Sequence, residues 1–459
     1  MSEWKKVKIG DVCKIVKGTT GIASAEPGKY PLVVTAVERK TCSTYQFDCE
    51  AVCIPLVSSS GHGKKSLNNV HFQSGKFALG TILCAAIPNN PDELDARYLH
   101  QYLQFYKDTV LVPLMKGAAN VSLSMKDIAY VEVPLPPIEK QRELSTMFVS
   151  LQEKSLESKK ETDKQIEYVK HLRRNILQEA IEGKLTADWR KQHPVQKGNP
   201  DYDAKALFEQ IQNEKYHTDL FAPNGAHAKK AKSVSSEPIR VTRKEKSLPP
   251  ITEDEIPFEI PAGWKWVRLG DVGEIYRGSG IKKSDMVESG LPCVRYGELY
   301  TTYGLTFSDA KSFIKKNLFD KSKKFGSKSV IFTLTGENRQ DIAKAAAYLG
   351  DNFVAASGDL AFWVNHSQEP CYLSFYMASL YFTNIKKKIA TGDFIIHMSV
   401  EKIKKVPLPL PPLAEQKEIV ARVEKHLEAI TQLETQIATR ETTTKQFMQS
   451  ILKDAFEEE

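Results

Sequence analysis

The chain is 459 residues long, which at about 150 residues per domain suggests roughly three domains. At 41% hydrophobic and 26% charged it can bury real cores, and a formal charge of +7 is too weak to prove a polyanion partner yet compatible with one. No run approaches the roughly eighteen apolar residues of a membrane span, and Met1-Ser2-Glu3-Trp4-Lys5-Lys6 lacks the apolar centre of a secretory signal, so a cytoplasmic location is expected.

In chain order, Trp4-Lys5-Lys6-Val7-Lys8-Ile9-Gly10-Asp11-Val12 reads as a short alternating strand with a turn at Gly10-Asp11. The stretch that follows, about 19–116, mixes strand-like runs such as Thr81–Ile87 with short helices such as the one around Arg97–Leu103. Within it, Gly61-His62-Gly63-Lys64-Lys65-Ser66 lacks the spacing of a Walker A loop and reads as a basic, flexible loop whose backbone can approach phosphates, or as an ordinary surface turn. Pro134, Pro136 and Pro137 mark an extended stop. A helix is predicted over roughly 139–183, with apolar positions at Leu144, Phe148, Leu151, Ile166, Val169, Leu172 and Ile176 spaced by threes and fours around a slip.

Next comes a proline-bearing connector, about 187–262, with a short helical candidate near Ala204–Lys215 and a basic run from Lys229 to Lys246 that reads as a solvated tail or a phosphate-contacting arm. Then the plan starts again. Trp264-Lys265-Trp266-Val267-Arg268-Leu269-Gly270-Asp271-Val272 repeats the Trp4 block 260 residues on (Trp4 to Trp264), through to Lys17-Gly18 and Arg277-Gly278. The proline block repeats at an offset of 275 (Pro134 to Pro409), which also pairs Gly117 with Gly392, Ser124 with Ser399, Gln141 with Gln416 and Ile176-Leu177 with Ile451-Leu452. A second long helix follows, with Val420, Val423, Leu427, Ile430, Leu433, Ile437, Phe447 and Ile451 on its stripe. The intervening stretches, 19–116 and 279–391, show almost no mutual similarity, which suggests a constant scaffold carrying two variable readers.

These features predict an α+β fold with a pseudo-twofold internal repeat. The divisions are a first domain over 1–135, a helix segment over 136–186, a connector over 187–262, a second domain over 263–410 and a helix segment over 411–459. About 45 residues of helix, on the order of 65 Å, want a partner along their single stripe. An antiparallel coiled coil between the two helices, with the domains at opposite ends, fits best; parallel pairing or two independent helices are the other arrangements.

The search for catalytic chemistry comes up empty. No GxGxxG follows a strand, and neither Asn-Pro-Pro-Tyr nor Asp-Pro-Pro-Tyr is present. Asp201 and Asp203 in Pro200-Asp201-Tyr202-Asp203-Ala204-Lys205 are nearly adjacent and in the connector, a poor match to nuclease carboxylates. The seven cysteines show no CxxC pair, and Cys49 and Cys53 have no neighbouring His cluster, so reduced, mostly buried thiols are expected and a metal site is not.

Two copies of Trp-x-x-Val-[Lys/Arg]-[Ile/Leu]-Gly-Asp-Val, each followed by a dissimilar stretch, Pro-Leu-Pro-Pro, a glutamine and a long helix, resemble the DNA-specificity subunit of type I restriction–modification enzymes. Glu182-Gly183-Lys184-Leu185-Thr186 after the first helix is similar to the subgroup with larger connectors. The resemblance implies two target recognition domains joined by the two helices, each domain reading one half of an asymmetric bipartite site in double-stranded DNA, with the helices setting the spacer. It implies two methyltransferase subunits that methylate adenine N6 with S-adenosylmethionine, and restriction subunits that use ATP and Mg²⁺ for translocation and cleavage; no active site or cofactor is expected on this chain.

The residues expected at DNA are Ser60, His62, Lys64 and Lys65 in the Gly-rich loop, Asn89 and Asn90 as base-edge readers, and Lys116 near a phosphate. In the second domain they are Asn338, Arg339 and Gln340, whose side chains suit adenine and guanine edges, with Lys282, Lys283, Arg295 and Tyr296 as further contacts. For each, a solvated or intradomain role is the competing reading. The aromatic run Leu299-Tyr300-Thr301-Thr302-Tyr303 is expected in the core. The alternative function is a non-enzymatic protein-binding scaffold with two variable ligand domains; steep weakening by salt would mark DNA binding instead.

Overall fold

The structure, a computed structural model, describes residues 4–60, 63–217 and 248–457. It divides into two compact units, one of residues 1–165 with 436–459 and one of residues 166–435, so each long helix is shared between them.

The β-elements of the first unit recur in the second. In the first, strand Lys6–Lys8 pairs antiparallel with Glu132–Pro134; in the second, Lys265–Arg268 pairs with Pro407–Leu410. The proline block is therefore partly strand rather than only a stop. A two-stranded ribbon has nothing but edges, where the missing proline N–H breaks no ladder.

The main sheet of the first unit runs Cys13–Lys17, Leu83–Pro88, Ala51–Pro55, His71–Gln73. Its counterpart runs Glu274–Arg277, Leu360–Val364, Val330–Thr333, Ala345–Tyr348, with Thr306–Phe307 added at the edge. A second sheet in each unit centres on a parallel pair, Tyr30–Val33 with Lys76–Leu79 and Leu291–Val294 with Val354–Ala356. The stretches that look unrelated in sequence are thus topological copies. Burial between layers demands apolar residues of about the right size, and unrelated sequences supply them: Ala51–Pro55 and Val330–Thr333 are both wholly buried.

Lys17-Gly18 and Arg277-Gly278 repeat for a steric reason. A Cβ at Gly18 would lie 2.2 Å from the Gly80 carbonyl oxygen, and at Gly278 2.1 Å from that of Ser357. Against the sheets pack helix Ala96–Val110 in the first unit and helix Pro370–Ala378 in the second, with helix Leu380–Ile389 packed on the latter. Of the run Leu299–Tyr303 expected in the core, Leu299 and Tyr303 are buried, whereas Tyr300 is half-buried and Thr301 and Thr302 face solvent at the end of helix Tyr296–Thr301.

The long helices span Ile138–Ile181 and Leu413–Glu457. Within the first unit Phe148 meets Phe456 and Arg440 donates to Gln165; within the second Arg173 meets Glu434 and Arg422 meets Asp188. In the first unit the partner falls from Phe456 to Arg440 as the residue rises from Phe148 to Gln165, so the pairing there is antiparallel; Asp188 belongs to the short helix Ala187–Gln192 that follows the first long one. The stripe is only partly as expected. Leu144, Phe148, Val169, Ile176, Val423 and Ile430 are buried, whereas Ile166, Leu172, Leu433 and Phe447 face water and Ile419 takes a buried place instead. Burial concentrates where helix ends meet a domain, and the middle is held mostly by polar pairs.

The extension after the first helix has a structural role. Gly183 turns the chain at φ 72°, and a Cβ there would lie 2.5 Å from Pro261. Buried Thr186 then donates to Glu415 at 2.7 Å. The Glu415 carboxylate, itself buried, also accepts from Arg190 on helix Ala187–Gln192 and, at 2.7 Å, from the Trp264 indole. Arg422 grips both oxygens of Asp188 and holds that carboxyl down at about 2. The connector's other helix, Ala204–His217, is capped by Asp203, whose two oxygens accept from the amides of Lys205 and Gly198, a structural use for the carboxylate.

Candidate functional site

The first basic loop leaves strand Ala51–Pro55 and lies against a tight hairpin. Val57 bridges Ser122, Leu123 N–H donates to Leu56 O at 2.9 Å, and the hairpin closes by reciprocal Lys116–Ser122 bonds of 2.9 and 2.8 Å. The second candidate loop leaves strand Val330–Thr333 in the same way. Thr335–Gly336 pairs with Ile396–His397, Met398 N–H donates to Leu334 O at 2.9 Å, and Thr391 and His397 exchange bonds of 3.0 and 2.7 Å. The two loops that the sequence nominates separately are therefore the same element, once in each copy.

Gly117 and Gly392 make both hairpins possible. They sit at φ 123° and 98°, and a Cβ would come 2.2 Å from Asn120 O in one and 2.1 Å from Ile395 O in the other. After each hairpin a serine caps a short helix: Ser124 accepts from Asp127 N–H, and Ser399 from Lys402 N–H.

In the first unit the structure brings together Ser60, Lys64, Lys65 and Lys116. A net of serines holds the loop: Ser58 Oγ donates to Lys64 O at 2.5 Å, and the Ser60 and Ser66 hydroxyls are 2.7 Å apart. Lys64 and Lys65 are exposed and form no ion pair among the described residues. Lys116, also exposed, reaches Asp127 at 3.2 Å; hydrogen bonds from Ser124 and from Lys116 hold the Asp127 carboxyl below its ordinary value. Gly61 and His62 lie outside the described residues, as does the basic run Lys229–Lys246.

Asn89 and Asn90 stand apart from this group. They follow Pro88, at the opposite end of the sheet from Pro55, because Pro55 pairs with Leu83 in an antiparallel ladder. Their polar atoms shape a local turn: Asn89 Nδ2 donates to Asp11 O at 3.3 Å and Asn90 Oδ1 accepts from Asp92 N–H at 3.0 Å.

In the second unit Lys282 and Lys283 follow strand Glu274–Arg277 at the end of the sheet that also emits the 335–341 loop, since Arg277 pairs with Ala361 and Thr333 with Leu360. Both lysines are exposed and form no ion pair among the described residues. Helix Tyr296–Thr301 is tied to the same loop, with Tyr300 Oη 2.8 Å from Thr333 Oγ1 and donating to Thr335 O at 3.2 Å. Tyr296 is exposed, and Arg295 is half-buried with an unpartnered, buried Nε.

Arg339 and Asn338 build the loop from within. Arg339 donates to Ala390 O at 2.8 Å and Gly392 O at 3.1 Å, and Asn338 bonds Asp341 at both ends of its amide. Gln340 is left exposed at the tip. The sequence reading missed the hairpin tips, including Phe394 and Ile395 in the second copy, although the pairing of Gly117 with Gly392 points straight at them.

It also missed how the repeated glutamines work. Gln141 is wholly buried, accepts from Asp95 N–H at 2.9 Å and donates to Glu93 O and Pro136 O; Gln416 accepts from Glu369 N–H at 3.1 Å and donates to Gln368 and Pro411 O. Each therefore staples a long helix to the start of a domain helix. Beside them Tyr98 and Tyr372 donate to Pro134 O and Pro409 O. Tyr98-Leu99-x-x-Tyr102 and Tyr372-Leu373-x-x-Tyr376, 274 residues apart (Tyr98 to Tyr372), were the available signal.

Among the described residues no group of three or more His, Cys, Asp or Glu is placed to hold a metal ion, and no helix is long and apolar enough to cross a membrane. All seven cysteines are free and six are buried; burial pushes the Cys13, Cys84, Cys293 and Cys371 thiols up to about 12.

A duplicated α+β domain, with an equivalent but chemically different loop in each copy and with both long helices shared between the units, defines an internally repeated α+β protein. The chain belongs to the type I restriction modification DNA specificity domain family, whose model matches residues 1–168 and 261–440, and this class of subunit is non-catalytic. It is 21% identical over 464 residues to the type I restriction enzyme EcoDI specificity subunit of Escherichia coli, spanning 99% of this chain and 88% of that protein. The fold is similar to a chain from a study of complex assembly and conformational transition of the type I R-M system (TM-score 0.59, 17% identity, 99% and 98% of the two chains). It is also similar to the HsdS subunit from Thermoanaerobacter tengcongensis (TM-score 0.50, 16% identity, 99% and 97%).

Proposed function

We propose that the two domains read the two halves of an asymmetric bipartite site in double-stranded DNA, and that the paired helices set the gap between the halves. One observation carries this reading: the same loop-and-hairpin element occurs twice with different side chains, Lys64 and Lys65 in one and Asn338, Arg339 and Gln340 in the other. A shared frame with unlike tips is what two unlike half-sites call for.

On this reading Lys64, Lys65, Lys116, Lys282 and Lys283 contact phosphates, while Ser60, Gln340, Arg295 and Tyr296 meet base edges or sugars. Asn338 and Arg339 act chiefly by shaping their loop, and Asn89 and Asn90 are the weakest of the candidates. Two methyltransferase subunits dock on the chain and methylate adenine N6 from S-adenosylmethionine, and restriction subunits supply the ATP- and Mg²⁺-dependent steps, all within a cytoplasmic complex.

Co-expressing the chain with its host's methyltransferase subunit and mapping methylated adenines by sequencing tests this directly. Two short specified blocks separated by a fixed gap are expected. Inserting one heptad into each helix adds about 10 Å and should widen the gap by about three base pairs without altering either block. An unchanged gap in that variant rejects the helices as the ruler.

A further inference from the structure

We propose that hairpin 391–397 of the second recognition domain is an apolar wedge that inserts Phe394 between stacked bases of the half-site this domain reads. The proposal rests on the DNA-reading role of the second domain given above and goes beyond it by naming an element that distorts the duplex.

Phe394 is 95% exposed and Ile395 57%, at the tip of a loop where solvent-facing aromatic surface has no folding benefit. The hairpin that presents them is rigidly held. Thr391 and His397 close it by two backbone bonds, and Ile396 and Met398 anchor its return strand in the core. Gly392 supplies the left-handed turn, Arg339 clamps the carbonyls of Ala390 and Gly392, and Lys402 donates to Ile389 O at 2.7 Å. A tip fixed in this way loses little conformational freedom when it is buried by a ligand.

Its setting favours a duplex over an apolar protein groove. Arg339 and Lys402 bond the carbonyls of Ala390, Gly392 and Ile389 at the base of the hairpin, and Lys387 and Lys388 stand in the last turn of the helix that leads into it. Its return strand pairs with Thr335–Gly336, the start of the candidate reading loop. Apolar side chains entering between base steps from a basic surround are a recurring way of kinking DNA.

The first domain provides a built-in comparison. Its equivalent hairpin has the same closing bonds and the same left-handed glycine, yet its tip is Ala118-Ala119-Asn120, with Ala119 at the place of Phe394. Small side chains cannot wedge, so only one half-site is opened.

The test uses the full chain assembled with its methyltransferase subunits, on a duplex bearing the mapped methylation site with 2-aminopurine placed base by base through the second half-site. The wild-type complex should raise 2-aminopurine emission at one step. Phe394→Ala should abolish that rise and weaken binding about tenfold, the lower end of what losing one base–aromatic stack costs, while Phe394→Trp should retain it. Because Phe394 touches so little of the fold, the thermal melt of Phe394→Ala should match that of the parent.

If Phe394→Ala binds and unstacks as the parent does, the wedge is wrong and DNA reading stands. If Phe394→Ala instead fails to retain methyltransferase subunits, the tip is a protein-docking surface and the wedge is likewise rejected. A wild-type complex that neither methylates nor binds DNA would remove the underlying reading itself.

Discussion

Gln141 and Gln416 each sit with no exposed surface at the junction of a domain and a long helix, using both ends of the amide. Leucine fills nearly the same volume but leaves the Asp95 or Glu369 N–H and the facing carbonyl groups without partners. Gln141→Leu or Gln416→Leu should therefore lower stability by about 1–3 kcal/mol, read as a drop in thermal midpoint, whereas neighbouring exposed substitutions should not.

His366 is a second buried polar residue, and its consequence is pH dependence. Its Nε2 lies 2.7 Å from Lys328 O and its Nδ1 accepts from Gln368 N–H, which satisfies the neutral ring. Burial pushes the imidazole down to about 4, below the value near 6.5 expected when unfolded. The unfolded chain thus binds the proton first as pH falls. The stabilisation is complete above about 6.5 and is lost as pH falls through about 4. Urea unfolding at pH 7.5 and at pH 4.5 should show a fall for the parent chain that is smaller in His366→Gln; equal falls would place the titration elsewhere.

At the scale of elements, the ends of the long helices carry most of their apolar packing. Phe456, near the end of the second helix, lies in a ring of Tyr98, Tyr102, Phe105, Tyr106 and Phe148, all within one compact unit. In the other unit Leu177, Ala180 and Ile181 of the first helix are buried. Each helix thus begins in one unit and ends in the other, and each unit's core is completed by a segment far away in sequence. Phe456→Ala should cost about 3–5 kcal/mol, seen in chemical denaturation as an earlier transition of the first unit, while the second unit's transition stays put. A uniform shift of both would mean that the units unfold as one. By contrast Arg173 with Glu434 is a half-exposed pair, and pairs of that kind contribute under about 1 kcal/mol.

For the whole molecule, the repeat visible in the sequence understates the symmetry. Trp4 and Trp264, the Gly-Asp turns, the proline blocks and the glutamines announce duplication, yet they frame stretches that share little by eye beyond the Tyr-Leu-x-x-Tyr of one helix. The structure shows that these stretches form corresponding sheets, with one extra edge strand in each sheet of the second copy. Two candidate loops chosen for different chemical reasons prove to be one element seen twice. Asn89 and Asn90, chosen for the same chemistry, lie at the other end of their sheet. Residue type alone could not distinguish these cases, because an exposed asparagine looks the same whether it shapes a turn or faces a ligand.

The sequence by itself determined where backbone geometry is forced. Gly18, Gly117, Gly278 and Gly392 occupy positions where a Cβ would strike a neighbouring atom, and the prolines confine their strands to edges, so these marks survive in both copies. It also determined the two long helices, whose periodic pattern needs no knowledge of a partner. Only the tertiary structure decided which stripe residues are buried, which loops correspond, and that Phe394 rather than Arg339 is the side chain left without a role inside the domain. Those outcomes depend on neighbours brought together across more than fifty residues, and no local spacing records who those neighbours are.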